Sequence, residues 1–125
     1  MKVLVIEPGK TPYQKEVVGL EEMQQVVGGY IEVCYPFEDL VAIVCNEEGK
    51  ILRLPLNRAI RNEQGDLINI IAGTFFICGL SDEGFKSLSP KLMEKYRKMF
   101  YAPEVFIDTG KKNAGKSRRM HRVGL

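Results

Sequence analysis

The sequence predicts an α+β fold: one small mixed or antiparallel sheet of about five to six strands, two helices packed on it, and a flexible basic C-terminal tail. Three observations predict it. Short apolar, β-branched runs recur between turn residues, at 3–6, 41–45 and 67–80. Two segments, 20–27 and 89–100, instead carry apolar residues every three or four positions. The chain has 125 residues and is 45% hydrophobic, enough for one core without staples.

Taken in order, Lys2 to Glu7 alternates little and is β-branched, the pattern of a strand buried on both faces. Pro8-Gly9-Lys10-Thr11-Pro12 is turn chemistry and ends it. Leu20, Met23, Val26 and Val27 then define a short amphipathic helix, with Gly28-Gly29 as its stop. A strand is expected over 30–35, with Ile31, Val33 and Tyr35 on one face. Residues 41–45 read as the next strand. Residues 50–54 read as its hairpin partner across Asn46-Glu47-Glu48-Gly49. Leu54-Pro55-Leu56-Asn57-Arg58 should leave the sheet, because proline cannot donate to a central ladder. Residues 62–66 read as a second turn. The apolar runs 67–72 and 74–80 flank Gly73, a bulge or bend, and periodicity leaves the first of them open between strand and helix. The last helix is the clearest: Ser89 as N-cap, Pro90 at the first helical position, and Leu88 and Met93 at staple spacing. Leu92, Tyr96 and Met99 form its inner face, and Glu94 and Lys98 an exposed i, i+4 pair.

The domain reading is therefore 1–108 as one α+β body and 109–125 as a basic, disordered tail. The charge divides the same way. Residues 1–108 carry 12 basic and 16 acidic residues; residues 109–125 carry six basic and no acidic ones. No apolar run reaches signal-peptide or membrane-spanning length, so the expected location is cytoplasmic, with no membrane contact. Cys34, Cys45 and Cys78 are odd in number, widely spaced and set in apolar runs, and read as small buried hydrophobes in a reducing compartment. The single histidine, His121, lies in the tail. No metal ligand set, cofactor motif or catalytic constellation is apparent. Glu21-Glu22, Glu38-Asp39 and Glu47-Glu48 are adjacent rather than facing, and read as solvated element ends without shifted pKa values.

Gly110-Lys111-Lys112-Asn113-Ala114-Gly115-Lys116-Ser117 fits the GxxxxGK[ST] phosphate-loop pattern letter for letter. That loop must open a helix and flank a sheet bearing an acidic magnesium ligand. With eight residues following Ser117 here, the expected reading is accidental Gly/Lys composition. The tail's Lys111, Lys112, Lys116, Arg118, Arg119 and Arg122 are instead candidate phosphate contacts. They have no interleaved aromatics for base stacking. Arg53, Asn57 and Arg58 form a second polar island. It is a candidate anion site, with Thr74 nearby. Its structural alternative has Asn57 capping a helical turn and the arginines paired with Glu47, Glu48 or Glu63.

Several phrases in order, Val5-Ile6-Glu7-Pro8-Gly9-Lys10, Gly28-Gly29-Tyr30-Ile31-Glu32-Val33, Tyr35-Pro36-Phe37, Leu54-Pro55-Leu56-Asn57-Arg58-Ala59 and Ile71-Ala72-Gly73-Thr74-Phe75-Phe76-Ile77, resemble the domain-of-unknown-function family numbered 3846. The resemblance spans roughly 2–107 and leaves out the basic tail. It carries no activity and no catalytic residues. It implies a setting, an accessory protein of a plasmid, phage or conjugative element. The leading expectation is thus a non-enzymatic accessory or regulatory binding protein. Its expected partners are nucleic acid through the tail, a host or element-encoded protein, or a second copy of itself. The rival is a small enzyme or ligand-binding protein that recognises a phosphate-bearing molecule through Arg53, Asn57 and Arg58.

Overall fold

In a computed structural model, which describes residues 1–108 and 117–122, β1 (Lys2–Ile6) is buried on both faces, with Val3 to Ile6 all fully buried. Its alternation serves two cores at once. Val3 and Val5 pack toward α1 (Gly19–Val27), while Leu4 and Ile6 pack toward α2 (Pro90–Met99). The remaining strands are β2 (Tyr13–Glu16), β3 (Ile31–Cys34), β4 (Val41–Asn46), β5 (Leu56–Arg61), β6 (Leu67–Ala72), β7 (Phe75–Ser81), β8 (Gly84–Lys86), β9 (Glu104–Asp108) and β10 (Ser117–Arg122). The main sheet has six strands in the order β2-β1-β7-β4-β3, with β8 on the same side of β7 as β1. Every pairing in it is antiparallel.

One face of the sheet, with Val3, Val5, Ala42, Val44, Phe76 and Cys78, closes on Val17 and on Met23 and Val27 of α1. The other face, with Leu4, Ile6, Ile43, Cys45, Phe75 and Ile77, closes on Tyr96 and Phe100 at the α2 end and on Ile60 and Ile71 of the β5–β6 hairpin. Both helices begin and end as their local chemistry requires. Gly28 is left-handed (φ 80°), and its N–H donates to Gln24 O at 2.8 Å. Ser89 Oγ accepts from Leu92 N, and Pro90 opens the helix. Such a cap is worth about 1 kcal/mol.

Three features depart from the sequence reading. First, 50–54 is no hairpin arm. β4 is paired on both edges, by β3 and β7, and has no edge left to offer. The segment after it coils into consecutive turns instead: Leu52 N donates to Glu48 O and Leu54 N to Gly49 O (2.8 and 3.0 Å), leaving Ile51 79% exposed. Second, 13–16, to which the sequence reading assigns no element, forms β2 on the sheet edge. Polar composition hid it, since all four residues are exposed. Third, the stretch after Pro55 leaves the main sheet as expected but forms a second ladder, β5–β6, closed by the expected turn at 62–66. Gly73 (φ 85°) then bends the chain from β6 into β7, where a Cβ would lie 2.7 Å from Leu54 Cδ1.

Within the segment expected as a tail, Ser117–Arg122 runs antiparallel to β9, with a register shift between Arg119 and His121. Lys111, Lys112 and Lys116 lie outside the described residues. Among the described residues, no helix is long and apolar enough to cross a membrane.

Candidate functional site

The polar island at Asn57 and Arg58 is where the fold spends its most unusual residues. β5 carries a bulge between Leu56 and Arg58, so that two consecutive polar side chains turn inward, at 1% and 0% exposure. Asn57 Nδ2 donates to Ile6 O and Gly73 O, both at 2.9 Å. The Arg58 guanidinium donates to Phe100 O from Nε and Nη2 (3.1 and 2.9 Å), to Lys10 O (2.6 Å) and to Asn57 Oδ1 (2.8 Å). Neither alternative offered by the sequence describes this. Asn57 caps no helical turn, and Arg58 directs its fork at main-chain carbonyls. The pair pins four remote segments together: the β1 end, the 8–12 turn, the Gly73 bend and the α2 C-terminus. Arg53 is exposed in the 47–53 turns with φ 58°, and Thr74 is half-buried.

The carboxylates are less uniform than their sequence suggests. Asp39 accepts from Lys95 Nζ (2.6 Å) and from the Tyr96 hydroxyl (2.7 Å). These bonds, the lysine's first, hold its carboxyl below the usual range. Burial and the same contact push the Tyr96 phenol up. A depressed carboxyl stabilises the fold fully above its unfolded value, about 3.9, and loses that contribution as pH falls through the lower folded value. Asp39→Asn should therefore lower the urea midpoint at neutral pH. The gap from wild type should close as pH drops below about 4. A gap that stayed constant to low pH would remove the ion pair from the explanation.

A groove of about 640 Å³ runs between β1 and the start of α2, but its Glu94 and Arg97 are engaged with one another at 2.7 Å. A smaller cavity of about 180 Å³ opens at the far edge of the sheet, lined by Glu32, Cys45, Lys50 and Asn69, among others. Lys50 Nζ donates to Asn69 Oδ1 at 2.8 Å and ties the turn to β6. The register sets Glu32 directly opposite Cys45 and Cys34 opposite Ile43. Cys34 and Cys45 thus project from one face of neighbouring strands as a diagonal pair, offset by two residues in the register. The neighbouring Cys45 thiol lowers the Cys34 pKa against the effect of its partial burial. The Cys34 thiol, with burial, raises that of Cys45. Cys78 fits the expected inert role: it is fully buried, and burial pushes its thiol up to about 12. Sequence reasoning missed the thiol pair. The signal available was the equal parity of Cys34 and Cys45 across the β3–β4 register, legible only once that register is known. Among the described residues, no group of three or more His, Cys, Asp or Glu could hold a metal ion.

A family profile described as Domain of unknown function (DUF3846) matches residues 1–101. The chain belongs to the DUF3846 family. No curated protein and no solved structure matches it. The matched region contains Asn57, Arg58 and the Phe100 carbonyl that Arg58 reaches, and also the Cys34–Cys45 pair. Strands β9 and β10 and the basic segment lie beyond it.

Proposed function

We propose that this DUF3846 chain is a non-enzymatic accessory or regulatory binding protein of a mobile genetic element, and that it contacts the nucleic-acid backbone through its basic C-terminal segment. The observation that carries this reading is the position of Arg118, Arg119 and Arg122. They sit on a two-stranded antiparallel ribbon, β9–β10, at the end of an otherwise acidic body. A ribbon of that kind fits the major groove of duplex DNA, and clustered arginines there neutralise phosphates. The mobile-element setting rests on the family resemblance. The rival reading, phosphate recognition by Arg53, Asn57 and Arg58, is weakened because Arg58 spends its donors on the carbonyls of Phe100 and Lys10.

The test compares the full chain with Arg118→Ala/Arg119→Ala/Arg122→Ala on fluorescent DNA and RNA across a salt series. Every phosphate no longer neutralised by an arginine should reduce the slope of log affinity against log salt by roughly 0.9 on duplex DNA. The triple variant should therefore bind more weakly, with a slope shallower by about 3. Equal binding by both proteins, or none by either at low salt, overturns the reading. Absence of binding would turn attention to a protein partner of the acidic body.

A further inference from the structure

We propose that Cys34 and Cys45 are a reversible dithiol–disulfide pair, oxidised by low-molecular-weight disulfides at the open edge of the main sheet. Three structural facts place it there. The register puts both side chains on one face of adjacent strands, offset by two residues. β3 is the terminal strand of the sheet, bonded to β4 on one side, so it can draw in by the ångström or so that a diagonal pair needs to reach disulfide spacing. Solvent reaches the pair from two directions: Cys34 is half-buried on that edge strand, and Cys45 lines the 180 Å³ cavity.

The thiols are unequal, which gives the reaction an order. Cys34 is the more exposed of the two, and its pKa is lowered beside Cys45 whereas that of Cys45 is raised, which favours the thiolate on Cys34. The Cys34 thiolate attacks one sulfur of the external disulfide. A mixed disulfide forms, and the first small thiol leaves with a proton. Cys45 then gives up its proton and attacks Cys34 Sγ, forming the intramolecular bond and expelling the second small thiol. Two protein thiols are oxidised by two electrons, one disulfide is reduced to two thiols, and both protons leave on them. Cys78 takes no part, because it is fully buried in the opposite core.

The test treats the full chain with oxidised glutathione and follows intact mass and peptide maps. The expected result is a loss of about two mass units per chain, a Cys34–Cys45 cross-linked peptide, and reversal by dithiothreitol. Cys45→Ser should stop at a glutathione adduct on Cys34. Cys34→Ser should slow glutathione incorporation by about tenfold or more, and Cys78→Ser should leave the cross-link intact. A wild-type chain that accumulates only the Cys34 adduct, or that cross-links only between chains, overturns the proposal. So does equal reactivity of Cys34 and Cys78 in the folded protein.

Discussion

Arg58→Met is expected to lower stability by about 3 kcal/mol or more. The guanidinium is wholly buried and donates to carbonyls from sequence positions 10 and 100, together with Asn57 Oδ1. A methionine fills similar volume but leaves those acceptors without their donor, and each orphaned buried acceptor costs about 1–3 kcal/mol. Thermal unfolding should shift down by roughly 10 °C for a domain of this size. Arg58→Lys should recover little, because a single ammonium cannot span the fork that reaches Phe100 O, Lys10 O and Asn57 Oδ1 together. A lysine variant as stable as wild type would show that charge alone is required there. A wild-type-like methionine variant would show that the carbonyls are satisfied some other way.

The second large effect belongs to Tyr96, through two separable contributions. Its ring is fully buried, 5.0 Å from the Phe37 centroid, at the centre of the packing between α2 and the sheet. Tyr96→Ala empties that space and should cost about 3–5 kcal/mol. Its hydroxyl donates to Asp39 Oδ2 at 2.7 Å. Tyr96→Phe keeps the ring and deletes only this bond, so it should cost about 1 kcal/mol. Urea unfolding of both variants with unchanged slopes gives the comparison directly. Near-equal losses would mean that the hydroxyl, rather than the ring, anchors α2. Because Lys95 shares Asp39, the Tyr96→Phe and Asp39→Asn effects should fall short of additivity.

The candidate sites divide along similar lines. The basic segment was legible because charge asymmetry needs only composition: six basic residues and no acidic ones after residue 108. Its strand β10 was not legible. Ser117-Arg118-Arg119-Met120-His121-Arg122 carries no alternating apolar pattern, and the pairing partner, β9, supplies the ladder. The cysteines read as inert hydrophobes because each sits alone in an apolar run. What separates Cys34 and Cys45 from Cys78 is a cross-strand neighbour, which no local window contains.

The sequence by itself determined the elements whose signals lie within a few residues of one another. They include the buried β1 run, α1 with its Gly28 stop, α2 with Ser89 and Pro90 at its start, the turn at 62–66 and the bend at Gly73. Capping, turn and periodicity signals are short-range interactions, so they can be read along the chain. Only the tertiary structure decided which strand pairs with which, and hence that 50–54 would coil rather than pair with β4, whose edges β3 and β7 occupy. It also decided that Asn57 and Arg58 would be buried rather than exposed, since their acceptors lie 51 and 42 residues away at Ile6 O and Phe100 O. A buried polar group is stable only where distant segments supply its hydrogen bonds, and that complement exists only once the chain has folded.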